Sequence, residues 1–105
     1  MSLSQETQNG KISLQDTVQA SEDAVFRELE GEAVILNLQT GTYFGLNESG
    51  TRIWNLIQQQ VSLEKVLEAL QVEYDAAPET LRNDLLQLVG QLQQKGLVRV
   101  TGSHT

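Results

Sequence analysis

Two spacings of hydrophobic residues divide the chain into an early part and a late part. Between residues 24 and 46, short apolar stretches with alternating side chains are separated by glycine-containing turns; between residues 53 and 92, apolar residues recur at intervals of three and four. The first pattern predicts strands and the second predicts helices, because side chains repeat every second residue in a strand and every ~3.6 residues in a helix. A hairpin leading directly into an amphipathic helix indicates an α+β domain of the winged-helix kind.

The early part predicts three short strands. Gly41 lies in the second connection, where a positive φ suits the turn. A further strand is expected after the last helix, and a short one within the N-terminal segment, which otherwise reads as a flexible arm because it is polar and aperiodic. The three main strands are expected at residues 24–29, 33–38 and 42–46, the last strand at 97–100, and the short one near 17–20 within the arm at 1–22.

The alternation also predicts which strand side chains meet the core. In the second strand, we expect Val34, Leu36 and Leu38 to face inwards. In the third strand, Tyr43 and Phe44 are neighbours and therefore point to opposite faces, so that one enters the core and the other stays near solvent.

Three helices follow, each with an apolar stripe and a recognisable start. Asn47 and Ser62 are suited to N-caps of the first two helices, and Pro78 to the first turn of the third, which Gly96 ends. We expect the first helix to end near residue 60 and the third to span 78–95. The stripes comprise Ile53, Trp54, Leu56 and Ile57 in the first helix, Leu63, Val66, Leu67 and Leu70 in the second, and Leu81, Leu85, Leu88 and Leu92 in the third.

Composition excludes several classes of function. The 105 residues suffice for one core, and 14 acidic against 7 basic residues give a net charge of −7, which opposes binding to nucleic acid and to anionic lipid. Cysteine is absent and the one histidine, His104, lies next to the C-terminus. With no catalytic motif and no metal-ligand spacing, we expect no enzyme, no metal site and no cofactor.

The chain also shows no sign of membrane insertion or export. No apolar run approaches the ~20 residues of a membrane-spanning helix. The first residues are polar and lack the apolar centre of a secretory signal. We therefore expect a cytoplasmic protein.

A combination of short motifs resembles the PqqD-like family, whose members are known as RiPP recognition elements. Its most specific part joins T-G-x-Y to L-N-x-x-G-x-x-I-W, and the match spans about residues 24–100 in the family's order. The matching residues are Gly31-Glu32-Ala33-Val34-Ile35-Leu36, Thr40-Gly41, Tyr43, Leu46-Asn47, Gly50, Ile53-Trp54 and Gly96-Leu97-Val98.

The resemblance implies both a fold and a role. The fold would be a winged helix-turn-helix, with a three-stranded antiparallel sheet packed on three helices at residues 23–100 and a tail at 101–105. The role would be to bind the leader segment of a ribosomal precursor peptide, in a pyrroloquinoline quinone or lasso-peptide type of pathway, and to present it to a modifying enzyme or leader peptidase. Such an adaptor would be a monomer or a weak dimer.

In that topology the third strand lies at a sheet edge, where an extended peptide can add as a further strand. Leu86 and Val89 lie on a shoulder of the third helix, and we expect this shoulder to line a groove facing the strand. Packing of the shoulder against the N-terminal arm or the second helix is an equally open alternative. The expected peptide-binding residues are Thr42, Tyr43, Phe44, Gly45, Leu46, Arg82, Leu86, Val89 and Gln93.

Two other functions stay open from the sequence. Winged helices also occur in DNA-binding regulators, although here the acidic residues of the second and third helices outnumber the basic ones. A structural subunit that dimerises through the same open strand is the third hypothesis.

Overall fold

The computed structural model describes residues 12–30, 32–59 and 62–101, which form five strands and three helices. The three helices and three strands between residues 24 and 94 confirm the expected α+β architecture, and a second small sheet joins the two ends of the domain. In chain order the elements are β1 (Thr17–Ala20), β2 (Ala24–Leu29), β3 (Glu32–Asn37), β4 (Tyr43–Leu46), α1 (Glu48–Ile57), α2 (Leu63–Glu73), α3 (Pro78–Gln94) and β5 (Val98–Thr101).

The main sheet is antiparallel, with β3 in the centre and β2 and β4 at its two edges. The middle row of side chains that faces the helices is formed by Phe26, Ile35 and Phe44, which are register partners across the three strands. Phe26 stacks on Trp54 of α1 with ring centroids 5.9 Å apart and an interplanar angle of 14°. Aromatic and aliphatic packing therefore fixes the inner face of the sheet against the first helix.

The helices begin where the sequence predicts, and α1 and α2 also pack as it predicts. The side chains of Asn47 and Ser62 accept the backbone N–H groups of Gly50 and Lys65, which caps α1 and α2. The stripes of α1 and α2 are buried throughout, Trp54 included, while α1 ends at Ile57, before the expected residue 60. At the turn before β4 and after α3, Gly41 and Gly96 have positive φ values of 79° and 72°, as expected of residues without a Cβ.

The second sheet corrects the expectation that residues up to 22 form a flexible arm. The short strand expected near 17–20 is β1, and it pairs antiparallel with β5. Val18 is fully buried, and the backbone carbonyls of Leu14 and Asp16 accept the N–H groups of Glu64 and Leu63 at the start of α2. Residues 12–22 are thus part of the folded domain; residues 1–11 and 102–105 lie outside the described residues, so the rest of the arm and tail stays a prediction.

The facing of β3 is the reverse of the prediction. Ala33, Ile35 and Asn37 are buried, whereas Val34 and Leu38 are exposed on the side of the sheet away from the helices. The strand is apolar on both faces, so its alternation defines two faces without deciding which one packs on the helices. As a result, the outer face of the sheet carries aliphatic side chains into solvent.

Candidate functional site

Strand β4 has a free backbone edge. Among residues 12–30, 32–59 and 62–101 it pairs with β3 alone, and the Asn37 N–H donates to the Thr42 carbonyl at 2.8 Å where the pairing begins. Hydrogen-bonded and non-hydrogen-bonded pairs alternate along an antiparallel ladder, so the N–H and C=O groups of Tyr43 and Gly45 point away from β3. These groups can bind the backbone of an added strand.

An open trough of about 490 Å³ runs beside this edge, between β4, α1 and α3. Its apolar part is formed by Phe44, Leu46, Ile53 and Leu88, and polar side chains from the start of α1 and from α3 surround it. A strand added to β4 would point every second side chain into this trough. The full lining comprises Phe44, Gly45, Leu46, Asn47, Ser49, Gly50, Ile53, Asp84, Gln87, Leu88 and Gln91.

Asn37 fixes the position of the β3–β4 hairpin relative to α3. Its side chain is buried, and its Nδ2 donates to the carbonyls of Lys95 and Gly96 at 3.1 and 3.2 Å. Its Oδ1 accepts the N–H groups of Gln39 and Thr40 at 2.9 and 3.3 Å, which shapes the turn before β4. One side chain therefore ties the free edge strand to the end of the helix that forms the opposite wall of the trough.

A second polar contact ties α1 to α2. The Arg52 guanidinium donates to both carboxylate oxygens of Glu73, through Nε at 2.8 and 3.1 Å and through Nη2 at 2.5 Å. The hydrogen bonds from Arg52 hold the pKa of the Glu73 carboxyl below its usual value, and Glu73 in turn raises the pKa of Arg52. Both side chains are partly exposed to solvent, so the pair makes a small contribution to stability.

Asp84 is the one charged side chain among the residues that line the trough. It has no lysine or arginine nitrogen within 4 Å among residues 12–30, 32–59 and 62–101. The wall formed by α3 therefore carries one unneutralised negative charge beside an otherwise apolar and amide-lined trough.

Of the strand expected at residues 42–46, Tyr43 to Leu46 form β4, whereas Thr42 lies before it. Phe44, Gly45 and Leu46 line the trough, Phe44 being half-buried and Leu46 buried. Tyr43 points to the outer face and is exposed, so the two aromatics do face opposite sides. Thr42 is exposed in the turn, where its backbone carbonyl holds the hairpin together.

The expected helical wall is wrong. Val89 is fully buried in the core, and neither Leu86 nor the exposed Arg82 and Gln93 lines the trough. Successive residues of a helix are about 100° apart. The predicted residues therefore lie on one side of the buried stripe of α3, and the residues that line the trough lie on the other side. The observed wall is formed by Asp84, Gln87, Leu88 and Gln91.

Periodicity assigns Leu88 to the core stripe, and the structure places it at the border between core and trough. Leu85 and Leu92 are fully buried, whereas Leu81 and Leu88 are only half-buried. The stripe is centred on Leu85, Val89 and Leu92, because α3 packs with Val89 towards the core. Leucine occurs on both flanks of this stripe, as Leu86 on one side and as Leu81 and Leu88 on the other, so periodicity alone does not fix the rotation.

The described residues contain no group of three or more His, Cys, Asp or Glu side chains placed to hold a metal ion. Among the helices of the described residues, none has the length and apolarity needed to cross a bilayer. The features that the site does offer are a free strand edge and a trough, and these suit the binding of an extended peptide.

The fold is similar to that of known proteins. A family model described as coenzyme PQQ synthesis protein D matches residues 32–98. The solved structure of TbiB1 in complex with the TbiA(beta) leader peptide is 36% identical, with a TM-score of 0.73, and the match covers 77% of this chain and 94% of that one. The lasso peptide synthetase B1 complexed with the leader peptide is 21% identical, with a TM-score of 0.71 and coverage of 78% and 96%, and it supports the fold alone. No curated protein sequence matches the chain.

Proposed function

The chain belongs to the PqqD family, and from that premise we propose that it is a RiPP recognition element, which binds the leader segment of a ribosomal precursor peptide and presents it to an enzyme of the same pathway. The observation that carries this proposal is the free edge of β4 beside the trough. The TbiB1 structure, whose sequence is 36% identical, was solved with a leader peptide bound.

The binding mode follows from the backbone. A leader segment in extended conformation pairs with the N–H and C=O groups of Tyr43 and Gly45, and this main-chain pairing accepts many sequences. Specificity comes from the side chains that point into the trough, where Phe44, Leu46 and Leu88 offer apolar contacts. Asp84 adds a preference for a lysine or arginine in the leader, because it is the one charge in the lining.

The same proposal assigns the chemistry to another protein. The described residues supply a binding surface, and the reaction on the precursor belongs to the modifying enzyme or leader peptidase that receives it. The family's quinone-cofactor and peptide-natural-product pathways both fit this role. The cytoplasmic location expected from the sequence stays a prediction.

Gly45 allows a direct test of strand addition. Gly45→Pro removes an N–H that points away from β3, so the β3–β4 ladder is kept, and proline is tolerated at such an edge position. A Cβ at Gly45 would meet no atom within 4 Å, so Gly45→Ala is a control that retains the N–H. Fluorescence polarisation with the labelled leader peptide encoded beside this gene is the measurement.

We expect Gly45→Pro to weaken leader binding about tenfold, because it removes one main-chain hydrogen bond and places a ring in the path of the added strand. Gly45→Ala should bind within about twofold of the unmodified chain, a difference well under 1.4 kcal/mol. Equal affinity of the proline and alanine variants would show that the peptide does not pair with β4.

A further inference from the structure

The outer face of the main sheet is an apolar surface in solvent. Leu29, Val34, Leu38 and Tyr43 are 46% to 75% exposed, and among the large apolar residues of the described chain only Val72 is exposed elsewhere. Half-buried Val25 and Leu36 complete this surface, since Val25, Leu36 and Tyr43 are register partners across the strands. Scattered apolar residues are ordinary, but a contiguous patch marks an interaction surface.

Charge on this face points to the chemistry of the occupant. Arg27 lies opposite Val34 in the same apolar surface, and within the part of the chain that the structure describes no carboxylate lies within 4 Å of its guanidinium. Covering an arginine with an apolar partner is unfavourable unless a counter-charge faces it. Glu30 and Glu32 lie with Arg27 and Leu29 at one end of the face. The part around Leu36, Leu38 and Tyr43 has Arg27 as its one charged lining residue. The fitting partner for this part therefore presents apolar side chains around one carboxylate. A second copy fits poorly, because both molecules would carry a net charge of −7.

The outer face continues into the proposed leader site. If a leader segment adds to β4, which is the premise taken from the proposed function, its alternate side chains point outwards beside Tyr43 and Gly45. The bound leader then becomes a fourth strand of the same surface.

We infer that the outer face, widened by the bound leader, is the docking surface for the enzyme that acts on the precursor. That enzyme contacts Val34, Leu36, Leu38 and Tyr43 with apolar side chains and Arg27 with a carboxylate. Because the surface is partly made of leader, the enzyme binds the adaptor–leader complex more tightly than the adaptor alone. The coupling is reciprocal: the enzyme tightens leader binding by the same factor.

The test measures two affinities on the same variants. Each enzyme encoded beside this gene is purified, and its binding to the full chain is measured by biolayer interferometry with and without saturating leader peptide. The variants are Val34→Lys combined with Leu38→Lys, and separately Arg27→Glu. Val72→Lys is the matched control, since Val72 is an exposed valine on α2, outside the sheet.

We expect the face variants to weaken binding of one enzyme by about tenfold or more, as loss of central interface contacts does. Their affinity for the leader should stay within about twofold of the unmodified chain, and Val72→Lys should alter neither affinity. Saturating leader should raise the enzyme's affinity for the unmodified chain.

Three results would overturn the inference. In the first, enzyme binding is unchanged by both face variants, while leader binding is intact. In the second, no enzyme binds the adaptor–leader complex. In the third, sedimentation shows a dimer that the face variants dissociate, so that a second copy is the occupant. A separate outcome is that the unmodified chain does not bind the leader peptide, and this result would contradict the proposed function itself.

Discussion

Replacing Asn37 with alanine should release the hairpin that carries the free edge strand. The Asn37 side chain makes four hydrogen bonds, two to carbonyls at the end of α3 and two to N–H groups of the turn. At a net ~1 kcal/mol each they would contribute ~4 kcal/mol. In the variant, water replaces part of this hydrogen bonding, because the partner residues are exposed; they are Gln39, Thr40, Lys95 and Gly96. We therefore expect the free energy of unfolding to fall by about 2 to 3 kcal/mol.

Urea denaturation followed by tryptophan fluorescence measures this loss, because Trp54 is buried in the core. For a domain of this size, the melting temperature should fall by about 10 to 20 °C. Asn83→Ala is the control, since Asn83 is an exposed asparagine on α3, and it should change stability by less than about 0.5 kcal/mol. If Asn37→Ala is no more destabilising than Asn83→Ala, the tie between hairpin and helix is not a stabilising contact.

Asn37→Asp distinguishes the hydrogen bonds to the end of α3 from the hydrogen bonds to the turn. It keeps an acceptor for the turn but turns a carboxylate oxygen towards the carbonyls of Lys95 and Gly96, which then lose their donor. We expect a loss at pH 7 at least as large as that of Asn37→Ala, because a buried charge facing carbonyl oxygens is unfavourable. A milder effect than alanine would mean that the turn contacts dominate.

Two further predictions concern α3 and the α1–α2 ion pair. Leu88→Ala should weaken leader binding about fivefold or more, because Leu88 lines the trough and burial of its side chain by a ligand contributes on the order of 1 to 2 kcal/mol. Leu86→Ala should change leader binding less than twofold, because Leu86 is also half-buried but does not line the trough. Fluorescence polarisation with both variants measures the difference. At pH 7, we expect Arg52→Gln to have a lower urea midpoint than the unmodified chain. At pH 3, the difference between the two urea midpoints should be smaller. The pKa of Glu73 is lowered in the folded state, so its contribution is present above the ordinary carboxyl value of about 4.3 and is lost as the pH falls through the lowered value. A gap that is the same at both pH values would show that the carboxylate of Glu73 is not the partner that matters.

Local signals in the sequence were sufficient for most element boundaries. Asn47, Ser62 and Pro78 mark the three helix starts, and Gly41 and Gly96 mark turns with positive φ. These signals are reliable because a cap or a turn depends on hydrogen bonds and dihedral angles within a few residues of itself. The edge position of β4 also agreed with the topology that the family resemblance implied.

The local sequence could not decide which face of β3 packs on the helices. One face consists of Ala33, Ile35 and Asn37, and the opposite face, with Val34, Leu36 and Leu38, is the more hydrophobic of the two. The structure nevertheless buries the face that contains Asn37, because this side chain finds four hydrogen-bond partners, two of them nearly sixty residues away at the end of α3. A buried asparagine is predictable only when its distant partners are known, since without them its burial is unfavourable.

The sequence by itself determined the order of strands and helices, the caps and turns between them, and the absence of cysteine and of any catalytic histidine within the described domain. Only the tertiary structure decided which flank of α3 faces β4, which face of β3 meets solvent, and that residues 12–22 belong to the fold. For α3 and β3 the physical reason is the same: periodicity defines a stripe or a face, but rotation about an element's own axis is fixed by packing against elements distant in the chain. Residues 12–22 belong to the fold because β1 pairs with β5, which lies at the other end of the domain.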